Sequence, residues 1–248
     1  MDNAEVHKRI QEMKYSTLDL SNLGLSSLPS LPNDIEILNI KNNQLTQLPL
    51  LPVNLSQLYC DENQLTELPS MPSTLHILNC EHNQLTTLPD LCSTKISQLY
   101  CSHNHITHLP VLPDSIWTLN CSNNRLKWFP KLPKGLISFN CSKNRLVSLP
   151  EVVPRNLRWL YCNNNQLTYM PERIPAIIKT IDCDGNLFPN REPDETLPRY
   201  LGRIEVWNRK QSYKRTCARL DIIYAELMTK IHFSSNTEYL TDTDYECL

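Results

Sequence analysis

The sequence predicts an α/β solenoid, with short parallel strands stacked into one concave sheet, an extended polyproline-like path on the convex side, and a helix at each end. Three observations predict it. A Leu-Pro-type slot recurs eight times, ending on Pro29, Pro49, Pro69, Pro89, Pro110, Pro130, Pro150 and Pro171, at steps of 20, 20, 20, 21, 20, 20 and 21 residues. Ahead of each proline stands a period-2 pattern such as Leu58-Tyr59-Cys60, the mark of a half-buried strand. After it, a second proline (Pro52, Pro72, Pro113, Pro133) forbids a regular helix in the return path.

The first element is a capping helix within residues 1–16. Val6, Ile10 and Met13 fall on one helical face across residues 2–15, and Asp2 or Asn3 can cap it. A solenoid exposes an apolar edge at each end, which such a helix covers.

Residues 17–190 form about nine coils. One inward strand slot reads Leu18, Leu38, Leu58, Leu78, Leu99, Leu119, Phe139, Leu160 and Ile181. The next inward slot reads Leu20, Ile40, then cysteine from Cys60 through Cys80, Cys101, Cys121, Cys141 and Cys162 to Cys183. Three residues later stands Asn43, Asn63, Asn83, Asn104, Asn124, Asn144, Asn165 or Asn186, with Leu23 in the first coil. An Asn amide bonds local backbone well, so this column is expected to tie coil to coil. Nine strands at about 4.8 Å spacing give a sheet on the order of 40 Å long. The second proline is replaced by Cys92 in the fourth coil and slides by one at Pro154 and Pro175.

The pattern stops near Pro189, so residues 191–248 form the other end. Breaks around Glu192, Asp194 and Glu195 lead into a helix over 199–232. Leu220, Ile223, Tyr224, Leu227 and Ile231 make its apolar stripe, read as a cap. Arg199, Arg203, Arg209, Lys210, Lys214, Arg215 and Arg219 make its other face basic. From Ser234 the chain is polar and acidic, and a mobile tail is expected.

The consensus L-x-[C/I/L]-x-x-N-x-L-x-x-L-P-x-L-P resembles the leucine-rich repeat family, over roughly residues 17–190. The period and the LPxLP segment look most like secreted bacterial effector proteins. The strand cysteine and the tail also look similar to leucine-rich repeat proteins of giant DNA viruses. The resemblance implies a right-handed leucine-rich repeat superhelix that binds a protein, a host protein where the effector likeness holds. Some similar effectors carry a large ubiquitin-ligase domain whose catalytic Cys is followed two residues later by Asp. Here the corresponding region is short, and Cys217 is followed by Ala218-Arg219-Leu220-Asp221. No catalytic activity is therefore expected.

Composition narrows the classes further. Net charge is −2, which leaves no global nucleic-acid footprint, although the 199–219 stretch is locally basic. Four glycines and no phosphate-loop motif argue against nucleotide binding, and no cofactor is expected. No apolar run spans a bilayer. The start, Met1 to His7, lacks a signal-peptide core, so an intracellular, reducing setting is expected, with thiols as small core hydrophobes. Adjacent strand thiols nevertheless lie within disulfide reach. His76, His82, His103, His105 and His108 cluster without paired metal-site spacing, so no metal is expected.

The outward strand residues are the candidate binding face. The central column reads Asp19, Asn39, Tyr59, Asn79, Tyr100, Asn120, Asn140, Tyr161 and Asp182. The column before it contributes Ile37, Ile77 and Trp159. The column after it (Ser21, Lys41, Asp61, Glu81, Ser102, Ser122, Ser142, Asn163, Asp184) is expected to line the same face. Exposed Tyr and Trp dominate interfaces, which makes Ile37, Asn39, Tyr59, Ile77, Asn79, Tyr100, Asn120, Trp159 and Tyr161 the predicted partner-binding residues. Cross-strand stacking would explain the same aromatics. The early coils are acidic (Asp61, Glu62, Glu67, Glu81) and the later ones basic (Arg125, Lys127, Lys131, Lys134, Lys143, Arg145, Arg155, Arg158), which suits a partner with two charge lobes. The expected function is a non-catalytic, monomeric protein-interaction scaffold without a small-molecule substrate. The alternative is an adaptor that recruits an enzyme or acidic partner through the C-terminal segment.

Overall fold

The computed structural model describes residues 2–171 and 173–238. Nine three-residue strands, β1 (Thr17–Asp19), β2 (Ile37–Asn39), β3 (Gln57–Tyr59), β4 (Ile77–Asn79), β5 (Gln98–Tyr100), β6 (Thr118–Asn120), β7 (Ser138–Asn140), β8 (Trp159–Tyr161) and β9 (Thr180–Asp182), form one parallel sheet in sequence order. Register is constant, with each strand's middle residue opposite the next one's: Leu58 faces Leu78, and Leu78 faces Leu99. The helices are α1 (Asp2–Gln11) and α2 (Leu197–Glu238).

The inward columns are sealed as expected. Leu58, Leu78 and Leu99 and all seven strand cysteines belong to one continuous core, and burial pushes the Cys60, Cys80, Cys101, Cys121 and Cys141 thiols upward. A further core column was not in the consensus. Ile35, Leu55, Leu75, Ile96, Ile116, Leu136 and Leu157 are fully buried just after the second-proline position. A tight turn delivers each of them, for example Leu55 N–H donating to Pro52 O at 3.1 Å. Among the described residues, no Leu-Pro segment of the coils, from Pro29 to Pro171, is helical.

The Asn column ties the coils together. Asn104 Oδ1 accepts from Leu85 N–H at 2.9 Å, while its Nδ2 donates to Cys80 O of the previous coil (3.0 Å) and to Cys101 O of its own (3.2 Å). Asn63, Asn83, Asn124, Asn144 and Asn165 repeat the arrangement. The residue before this slot, filled by Leu23 in the first coil and by Asn in the rest, takes positive φ: Asn22, Asn42, Glu62, His82, His103, Asn123, Lys143, Asn164 and Gly185, at 51° to 68°. This left-handed kink turns the chain out of the strand. Gly185 has a second reason to be glycine, since a Cβ there would lie 2.7 Å from Asn164 Oδ1.

The caps differ from the sequence reading. α1 ends at Gln11, shorter than expected, with Val6 buried and Ile10 and Met13 packed against the core. α2 caps the last coil with its first three turns and not with the predicted stripe. Tyr200 and Ile204 are buried, and Leu197, Leu201 and Trp207 pack against the core. Tyr200 and Cys183 share a hydrogen bond of 2.9 Å. Asn208 pairs with Met170 through both backbone groups, supplying contacts that another coil would have made. Leu220, Ile223 and Tyr224 are instead exposed, because the solenoid ends before their helical turn. The acidic residues Asp242, Asp244 and Glu246 lie outside the described residues.

Candidate functional site

The alternation of each strand puts its first and third residues on the concave face and its middle residue in the core. Each predicted binding residue therefore faces outward and is half-buried: Ile37, Asn39, Tyr59, Ile77, Asn79, Tyr100, Asn120, Trp159 and Tyr161. Register divides them into two patches. Tyr59 and Tyr100 sit on β3 and β5 with Asn79 between them. Trp159 and Tyr161 sit on β8, three strands and roughly 14 Å beyond Tyr100.

Both tyrosines of the first patch are pinned. Tyr59 Oη donates to Gln57 Oε1 at 2.9 Å, and Tyr100 Oη donates to Gln98 Oε1 at 2.9 Å. The Gln lies two residues before the Tyr, hence on the same face of the strand. That Gln-x-Tyr spacing is visible in the sequence, and its role was missed there. Partial burial raises the Tyr100 phenol, as do the charges of Glu81 and Tyr59. In the second patch Lys179 Nζ lies 5.7 Å from the centroid of the Trp159 ring.

The column after the strands departs from expectation. Asp61, Ser102, Ser122 and Ser142 are buried, not open to a partner, because adjacent coils close over these small side chains. Two carboxylates stand out within it. Asp61 Oδ2 meets Lys41 Nζ at 3.1 Å, which holds the Lys41 ammonium above its ordinary range, while Asp61 Oδ1 is the one buried side-chain oxygen or nitrogen, among the described residues, without a hydrogen bond. Glu81 reaches across two strands, where its Oε1 accepts from Ser102 Oγ at 2.5 Å and from Asn120 Nδ2 at 2.6 Å. These donors fix a carboxylate beside Tyr100.

His82 and His103, expected to be neighbours, stack with centroids 4.1 Å apart and planes at 12°. Burial and the His82 charge lower the His103 imidazole. Both occupy the left-handed slot, at the edge of the sheet.

No protein-family model matches the sequence, and no curated protein matches it. Solved structures do. YopM from Yersinia enterocolitica is 32% identical with a TM-score of 0.62, covering 75% of this chain and 46% of its own, so the chain spans less than half the length of that protein. A Shigella effector leucine-rich repeat domain is 33% identical, with a TM-score of 0.49, over 74% of this chain and 77% of its own. The functional domain of InlJ from Listeria monocytogenes, which includes a cysteine ladder, is 26% identical with a TM-score of 0.53, over 71% of this chain and 46% of its own. No helix among the described residues is long and apolar enough to cross a membrane.

Proposed function

The chain belongs to the leucine-rich repeat proteins, and on that premise we propose that it is a non-catalytic scaffold whose concave face binds a partner protein. The family's solenoid offers an extended, preformed binding surface. The observation that carries the reading is the pair of pinned tyrosines. Tyr59 and Tyr100 present aromatic area on an exposed sheet while Gln57 and Gln98 already hold their hydroxyls. Rings fixed before binding lose little side-chain entropy on association. Ile37 and Ile77 add apolar area beside them, Asn39, Asn79 and Asn120 add amide donors and acceptors, and Glu81 supplies a fixed negative charge. Trp159 and Tyr161 form a second anchor. A host protein is the partner that the effector likeness implies.

The test is affinity capture with wild type and with Tyr59, Tyr100, Trp159 and Tyr161 together changed to Ala. The proposal expects the captured partner to be lost while circular dichroism stays unchanged. An equal yield from the variant removes the concave face from the account. The adaptor reading draws support from the exposed outer part of α2, and deleting that part should then abolish recruitment alone.

A further inference from the structure

Negative charge gathers beside the pinned tyrosines, and the chain leaves part of it unanswered. Asp61 follows Tyr59 by two residues and Glu81 follows Asn79 by two, and β3, β4 and β5 set Tyr59, Asn79 and Tyr100 side by side. Lys41 Nζ lies 3.1 Å from Asp61 Oδ2 and 3.4 Å from Glu62 Oε1, so a single ammonium serves both carboxylates. Among the described residues Glu81 is in no ion pair. His103 is close enough to feel Glu81, but burial lowers its imidazole below the ordinary value, so the ring supplies no countercharge at neutral pH.

Two observations make this more than an acidic surface. Glu81 Oε1 is fastened by Ser102 Oγ and Asn120 Nδ2, whereas Oε2 makes no hydrogen bond among the described residues. A carboxylate with one oxygen held and the other bare loses little freedom when it takes a donor. Asp61 is 5% exposed, yet its Oδ1 accepts no hydrogen bond. A buried carboxylate oxygen without a donor is costly, and a positive charge lodged nearby offsets that cost where the local dielectric is low.

The rings narrow the occupant further. Tyrosine faces attract cations, and a guanidinium more often than an ammonium. At the second patch the chain fills that place itself, with Lys179 Nζ 5.7 Å from the Trp159 centroid. Over Tyr59 and Tyr100 no cation of the chain lies, among the described residues. A guanidinium is planar, weakly hydrated and able both to stack on a ring and to bond a carboxylate. We propose that the concave face takes its partner through an arginine side chain, which docks on Glu81 beside Tyr59 and Tyr100. The inference rests on the concave-face reading and adds what that face recognises: a protein segment presenting an arginine, with apolar neighbours that cover Ile77.

The experiment selects random linear peptides, displayed on phage, against the full chain and then measures the synthesised peptides by calorimetry. The selected population should be enriched in arginine, and Glu81→Gln should weaken its binding at least about tenfold. Glu81→Gln keeps an oxygen for Ser102 and Asn120, so the solenoid's unfolding midpoint should not move. Replacing the peptide's arginine by glutamine reads the same contact without touching the fold. It should cost as much as Glu81→Gln, and the two changes together should cost little more than either, as direct partners do. A population without arginine enrichment overturns the inference, and so do arginine peptides that bind Glu81→Gln as tightly as wild type. In both cases the concave-face reading stands if Tyr59→Ala/Tyr100→Ala abolishes binding. Peptides indifferent to the tyrosine pair as well overturn both.

Discussion

Leu99 and Tyr100 are adjacent in sequence and belong to different worlds. The inward column to which Leu99 belongs reads leucine in seven of nine coils, with Phe139 and Ile181 as the exceptions. The outward column of Tyr100 runs through Asp, Asn and Tyr without a rule. Nine coils of one chain act as an internal alignment. A residue that recurs in every coil is one the stack requires, since each coil buries its apolar face against its neighbours alone. A residue that changes from coil to coil is one the stack tolerates. The concave patch around Tyr59, Asn79 and Tyr100 is built wholly from the second kind, which is why it is free to serve a partner.

The contrast can be broken most severely through pH. Burial raises the Cys60, Cys80, Cys101, Cys121 and Cys141 thiols above their ordinary value. Unfolded thiols ionise from about pH 8.5, whereas the folded ones keep their protons. Stability from these groups is therefore complete below that pH and falls above it, by about 1.4 kcal/mol per thiol for each further pH unit. Urea unfolding at pH 7, 9 and 10 should show a steep alkaline loss, and a flat profile would mean that water reaches the column. Next in size is Asn104→Ala, which orphans the Leu85 N–H and two carbonyls inside the stack. It should cost about 3 kcal/mol by chemical denaturation, far more than Asn79→Ala on the outward face. The smallest effect belongs to Tyr100→Phe. Losing one half-exposed hydroxyl bond should cost about 0.5 kcal/mol of stability, yet it unpins the ring and should weaken the captured partner measurably by calorimetry.

How much of this was legible depends on whether an interaction repeats. The leucine, cysteine and asparagine columns were readable because the period exposes them. The buried column of Leu55 and Leu75 obeys the same period, but it lies past the prolines and outside the consensus. The left-handed slot carries its own signal, four Asn and one Gly among nine residues, all types that tolerate positive φ. Burial of Asp61 and Ser102 was not legible, because strand alternation assigns them outward and their enclosure comes from neighbouring coils. The reach of Glu81 to Asn120 depends on one side-chain rotamer and has no repeat to announce it. At α2 the apolar spacing is legible but the end of the solenoid is not: Tyr200, Ile204 and Trp207 make the cap, while Leu220, Ile223 and Tyr224 lie beyond the last coil and are exposed.

The most direct measurement compares Leu99→Ala with Tyr100→Ala by denaturant unfolding at neutral pH. The account predicts a loss of about 2 to 5 kcal/mol for Leu99→Ala, from the cavity left in the stack. It predicts a loss below about 1 kcal/mol for Tyr100→Ala, whose contacts are cross-strand and half-solvated. Equal losses would contradict it, since Tyr100 would then belong to the fold as fully as Leu99 does.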